Sequence, residues 1–159
     1  RYEKGVQQLR QMIGEGRCGR ILSARSYLTW SRPYSYYEGS DWKGTWDKEG
    51  GGVLIDQAIH SIDRIRYMLN SDVEWIDGSV HNHYHDKIFV EDTAEAAIQF
   101  KNGCIYSLYA CNSYAADAPI YLEFQGEKGR CGLISVWTKR LPAALMPVRA
   151  ILKIIPASI

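Results

Sequence analysis

The sequence contains no run of about 18 apolar residues, the length a membrane-crossing helix needs. It also lacks a CxxC pair and any excess of one charge: 19 Lys and Arg stand against 18 Asp and Glu, a net +1. The first absence excludes a helical membrane protein. The second removes the broad electrostatic footprint that nucleic-acid binding leaves. Low net charge with 46% hydrophobic residues excludes intrinsic disorder. Cysteine is scarce, with four in 159 residues (Cys18, Cys104, Cys111, Cys131). A chain this long buries a core without covalent staples, so free thiols in a reducing, cytoplasmic compartment are expected. No secretory leader is visible. The chain opens on Arg1 rather than Met and runs straight into a helical pattern, so a piece of a longer protein is expected.

What is present reads as one domain and a tail. Val6, Leu9 and Ile13 recur at helical spacing and predict a helix over 2–15, stopped by Gly16 and Gly19. Residues 20–31 read as a strand. Residues 32–50 form a long polar and aromatic loop, a length that is uncommon without function. A helix is expected over 52–69, then four strands over 73–85, 92–101, 104–114 and 119–126. Asn102-Gly103 marks a hairpin, and Gly126 to Gly129 marks another turn. Helices first and strands later point to an α+β fold: a mostly antiparallel open sheet with helices on one face. The domain is expected over 1–135. Residues 136–159 read as an atypical tail, apolar and basic, with no acidic residue after Glu127.

The run Gly50-Gly51-Gly52-Val53-Leu54-Ile55-Asp56-Gln57-Ala58-Ile59-His60-Ser61-Ile62-Asp63 is the most informative. With Val53 at zero and about 100° per residue, Leu54, Ile55, Ala58, Ile62, Ile65 and Leu69 fall between about 100° and 200°. Asp56, His60, Asp63 and Tyr67 fall between about 280° and 340°. The helix thus has an apolar stripe and an opposite polar column. A carboxylate one turn from an imidazole can orient it and raise its basicity, as a general base requires. The glycines let a backbone or ligand come close. A solvated helix face is the competing reading.

Other candidates are weaker. His81, His83 and His85 alternate as on one face of a strand, but lie too far apart to chelate together. No metal site is expected from them; an exposed edge or subunit contact is. Glu91, Asp92 and Glu95 read as a solvated face. Cys104 and Cys111, seven apart, are expected on opposite faces and unpaired.

The glycine-helix run resembles the signature helix of the Gfo/Idh/MocA oxidoreductases. LRQMIGEGRCGRI, YYEGSDWKGTW and VEDTAEAAIQFKNG resemble further segments of that family, in its order, over roughly residues 1–130. The resemblance implies a glyceraldehyde-3-phosphate dehydrogenase-like C-terminal domain. In the family that domain partners an N-terminal Rossmann domain that binds NAD or NADP. The GxGxxG turn and the Glu-Lys-Pro segment of that partner are not in this sequence, so no cofactor is expected to bind this chain tightly alone. The resemblance makes His60 the acid/base on a hydroxyl or carbonyl of a sugar, nucleotide-sugar or cyclitol. It makes Asp56 a catalytic partner, and Trp42, Lys43, Trp46 and Tyr37 substrate contacts. The loop aromatics Tyr34, Tyr36, Tyr37, Trp42 and Trp46 are expected to form an apolar wall against a sugar ring, with core packing or a subunit contact as the competing reading. Relatives often carry Arg where Lys43 stands, and Lys lacks Arg's planar fork. Asp63 reads as structural, and the resemblance offers Asp92 a structural role as the alternative to a solvated face. A homo-oligomer through the sheet face is implied as well. The alternatives are an assembly or regulatory module of the same fold, or a defective fragment.

Overall fold

A computed structural model describes residues 2–135 and 155–156. In chain order it contains α1 (Lys4–Gly14), β1 (Ile21–Thr29) and α2 (Tyr34–Glu38). A π-helical turn (Leu54–Ala58) then runs directly into α3 (Ile59–Leu69). The strands β2 (Val73–His81), β3 (Thr93–Phe100), β4 (Ile105–Cys111), β5 (Ile120–Gly126) and β6 (Gly129–Ser135) follow, with the two-residue β7 (Ile155–Pro156). Most of the expected tail, 136–154 and 157–159, lies outside the described residues.

The sheet order is β2-β3-β4-β1-β5-β6-β7. Among the described strands only β1 with β4 is parallel; the other pairs are antiparallel. The expected α+β fold with a mostly antiparallel open sheet is the observed one. Strands β2, β3 and β4 form a meander whose second turn is the predicted Asn102-Gly103. The next strand in sequence, β5, does not pair with β4, because β1 fills the place between them.

The core forms where the sheet meets the helices. Val6 and Leu9 of α1, and Ile65 and Met68 of α3, pack on alternate residues of the strands. Ala24 and Leu28 of β1, Tyr106 and Leu108 of β4, and Leu122 and Phe124 of β5 supply that face. A buried hydroxyl pair there, Ser26 Oγ and Tyr106 Oη, is satisfied internally at 2.6 Å. The opposite face is more polar, with an Arg25–Glu123 ion pair at 2.9 Å and a Tyr27–Tyr109 ring contact.

Three features depart from expectation. Residues 34–38 are helical within the long loop. β6 follows the predicted turn, although its sequence GRCGLIS carries little strand signal; Gly132 is required because a Cβ would lie 2.5 Å from the Leu122 carbonyl oxygen. β2 ends at His81, so His83 and His85 leave the strand. His81 and His83 stack with ring centroids 4.9 Å apart, while His85 turns into the core. The four cysteines are free and buried; Cys18 and Cys131 face each other across the α1–β1 turn and β6.

Candidate active site

The helix that carries Asp56 and His60 begins against Glu91. The buried Glu91 carboxylate accepts the amides of Gly52 at 2.9 Å and Leu54 at 3.1 Å, and its own carbonyl accepts the Val53 amide at 3.0 Å. A helix N-terminus presents unpaired amides and a positive dipole end, and a carboxylate satisfies both. Glu91 was expected on a solvated face. It is buried because these amides need an acceptor. The contact also explains Gly52: a Cβ there would meet the Glu91 carbonyl oxygen at 1.9 Å.

The first turn is a π turn, closed by i→i+5 bonds, a geometry concentrated at functional sites. It rotates the chain less per residue than an α turn. The apolar stripe is therefore displaced from its expected angle. Ile55, expected in the core, is 47% exposed and Ile59 is 41% exposed, while Ser61 and Met68 are buried. The polar column divides too. Asp56 and His60 face a cleft, whereas Tyr67 engages α1, under the Arg10 guanidinium at 4.0 Å.

The cleft has a volume of about 640 Å³ and lies between the end of β1 and the π turn. Asp56, Gln57 and His60 form one wall; Trp30, Arg32 and Tyr36 form much of the other. The Arg32 guanidinium lies 4.6 Å from the Trp30 ring and donates to Asp117 Oδ1 at 3.1 Å. Tyr36 Oη donates to Asp56 Oδ2 at 2.7 Å, and Gln57 Nε2 donates to the same oxygen at 2.7 Å. Burial, reinforced by the Asp56 carboxylate, pushes the Tyr36 phenol up to about 12.

The expected substrate contacts scatter. Lys43 reaches the cleft's edge, with Nζ 3.4 Å from the Tyr36 ring centroid. Trp42 and Trp46 are 45% and 55% exposed, on the loop beside the cleft rather than among the residues lining it. Trp46 Nε1 is held by the Phe89 carbonyl at 2.7 Å. Tyr37 is a core residue, packed with Ile88 and Val90 and accepting from Asn112 Nδ2 at 3.4 Å. Its neighbour Tyr36 takes the position in the cleft. Sequence reasoning grouped Tyr36 with the loop aromatics and missed Arg32, Gln57, Trp30 and Asp117. Gln57 had a local signal, since it adjoins Asp56; the others come from chain segments far from the helix.

Behind the cleft lies a buried pair. His85 Nδ1 meets Asp92 Oδ2 at 3.1 Å, and His85 Nε2 meets the Arg32 carbonyl oxygen at 2.6 Å. The rings of Tyr34, Tyr37 and Tyr84 surround the imidazole at 5.1–5.5 Å. Asp92 also accepts the amides of His83, Tyr84 and His85 and the Thr93 hydroxyl. Burial alone would raise its pKa. The amides of His83 and Tyr84, the Thr93 hydroxyl and the His85 ring outweigh that, and its pKa lies below the usual carboxylate value. Two of the three acids read as a solvated face, Glu91 and Asp92, are therefore buried acceptors; Glu95 alone fits that reading.

Fold and cleft together define an α+β domain that presents an Asp–His helix at one end of an open sheet. Residues 6–131 match the family model described as the GFO/IDH/MocA C-terminal domain, and the chain belongs to that family. It is 32% identical over 97 residues to a 1,5-anhydro-D-fructose reductase of Ensifer adhaerens, covering 61% of this chain and 28% of that protein. Its fold is similar to that of the WlbA dehydrogenase of Bordetella pertussis, solved with NADH and UDP-GlcNAcA. There the TM-score is 0.79 and identity 27%, over 89% of this chain and 43% of the other. The WlbA dehydrogenase of Chromobacterium violaceum, solved with the same two ligands, gives a TM-score of 0.74 and 28% identity, over 88% and 42%. The chain thus spans less than half the length of these relatives.

Proposed function

We propose that this chain is the substrate-binding and catalytic half of an NAD(P)-dependent dehydrogenase acting on a hydroxyl or carbonyl of a sugar, nucleotide-sugar or cyclitol. The observation that carries this is the pairing of Asp56 and His60 on one cleft wall, at the start of a π-initiated helix. Bound ligands named for the WlbA relatives, a nucleotide-sugar and a nicotinamide, agree with it. The parent protein supplies the Rossmann domain, and this chain alone holds no cofactor tightly. We place the parent in the cytoplasm, where four free thiols stay reduced. It self-associates through the open sheet face, where Tyr27, Tyr121 and the edge-strand residue Trp75 are exposed.

The residues present fit a nicotinamide. Ile55 and Ile59 offer an exposed apolar flank next to Asp56 and His60, suited to a flat ring or to the domain that carries it. The bound nicotinamide would supply a hydride acceptor. This chain's part is to hold the alcohol and take its proton. His60 accepts the hydroxyl proton as the C–H electron pair leaves, giving the carbonyl; in reduction it returns that proton. Histidine suits the task because its ordinary pKa is close to neutrality. Trp30 and the Tyr36 ring provide apolar surface for the face of a sugar ring.

Replacing His60 with Ala in the parent should lower kcat by about 10²- to 10⁴-fold with little change in thermal stability, since His60 is exposed. Steady-state kinetics and a melting curve check this, with the isolated chain as an inactive control. Unchanged kcat would sink the proposal and favour an assembly module.

A further inference from the structure

Asp56 does not sit loosely in the cleft. Its Oδ2 is held by two donors, Tyr36 Oη and Gln57 Nε2, each at 2.7 Å. Gln57 Nε2 also lies 3.2 Å from Tyr36 Oη, closing a three-membered cluster. No described residue donates to Oδ1. The Tyr36 ring has cations over its face: Lys43 Nζ at 3.4 Å and the Arg32 guanidinium at 5.3 Å from the centroid. A cation on a phenol's π face draws electron density from the ring and makes its hydroxyl a stronger donor. The donor's proton is secure, because burial and Asp56 keep the phenol protonated across the physiological range.

We infer that Tyr36 and Lys43 are a positioning pair for Asp56. Lys43 polarises the Tyr36 ring, Tyr36 and Gln57 fix Oδ2, and Oδ1 is left to orient the substrate hydroxyl toward His60. The inference rests on the dehydrogenase reading of the cleft. It changes the role of Lys43, which acts through the tyrosine and not on the substrate. It also gives a reason for a tyrosine here: phenylalanine would fill the same space but leave Oδ2 with one donor.

The test is a double-mutant cycle in the parent dehydrogenase. Tyr36→Phe should lower kcat by about 10- to 100-fold, the range for one hydrogen bond to a charged group, with KM changed by less than about threefold. Lys43→Met should lower kcat by about 2- to 5-fold, in keeping with a single cation–π contact. In the Tyr36→Phe background, Lys43→Met should have almost no further effect. Lys43→Arg should restore most of the loss, since a guanidinium also sits well on an aromatic face. Equal losses from Lys43→Met in both backgrounds, or a change confined to KM, would mean that Lys43 meets the substrate directly and would overturn the inference. His60→Ala is run alongside. If His60→Ala abolishes turnover while Tyr36→Phe does not lower it, the inference fails and the site stands. If His60→Ala is silent, both fall. In the isolated chain, Asp56→Asn should move the Tyr36 phenol titration, followed by NMR, down from about 12; an unmoved midpoint would show that the hydroxyl does not depend on Asp56.

Discussion

His85→Ala should destabilise the domain by about 3–5 kcal/mol, the cost of breaking a buried charge-bearing pair by removing one member. His85 and Asp92 are both fully buried. Without the imidazole, the Arg32 carbonyl oxygen and Asp92 Oδ2 lose a shared partner, and the three tyrosine rings line an empty space. His85→Gln should cost less, because an amide can still donate to one of the two acceptors. Urea denaturation of the three proteins gives the comparison. A cost under about 1 kcal/mol for His85→Ala would show that the pair does not hold the cleft wall. The same pair sets a dependence on pH. The Asp92 pKa is lowered in the folded state, so the unfolded chain binds this proton more readily. Its contribution is complete above the ordinary carboxylate range and is lost as pH falls through the lowered folded value. Stability should therefore drop on acidification through that window, and less steeply in Asp92→Asn.

Gly52→Ala should be comparably severe, about 3 kcal/mol or more, beyond the usual range for added methyl groups. The atom that a new Cβ would strike is a backbone oxygen, Glu91 O at 1.9 Å, which cannot rotate away. Relief requires the helix start and the β3 approach to separate. That breaks the Val53 amide bond to the same oxygen and loosens the two amides on the Glu91 carboxylate. Asp56 follows within a turn, so an activity loss larger than the stability loss explains is expected in the parent. Gly50→Ala is the useful contrast. Nothing lies within 4 Å of a Cβ there, so its cost comes from backbone strain at φ +83° alone. Thermal melts of both variants separate the terms; equal shifts would show that the Glu91 contact is not the cause.

The helix and its polar column were legible because they are local. Asp56 and His60 lie four apart, and periodicity alone separates them from the core stripe. The π turn was not legible, and it is why Ile55 was misassigned to the core. The cleft's second wall escaped for a different reason. Tyr36 lies 20 residues from its partner Asp56, and Asp117 lies 85 from Arg32. Which of several neighbouring aromatics turns inward is decided by packing: Tyr37 enters the cluster with Ile88 and Val90, and Tyr36 is left facing Asp56. Glu91, Asp92 and His85 were read as surface groups because charged residues usually are. What buries them is a demand for partners made by backbone amides and a carbonyl, distant in sequence for Glu91 and His85 and on the adjoining loop for Asp92, and such a demand leaves no periodic pattern in the sequence.

The position of β1 bears on how the chain acquires its structure during synthesis. This strand leaves the ribosome before the other described strands of its sheet, yet it sits in the middle of that sheet, between strands that end at Cys111 and Gly126. Neither neighbour exists until most of the domain has been translated. The β2–β4 meander can close through the 82–92 segment and the Asn102-Gly103 turn while β1 waits with both edges unpaired. Its insertion must then fix long-range contacts on both sides, the slow and loop-costly kind of step. Until then Tyr27, Leu28 and their neighbours form an exposed strand suited to wrong pairing, and the domain depends on finishing synthesis before that strand finds another partner.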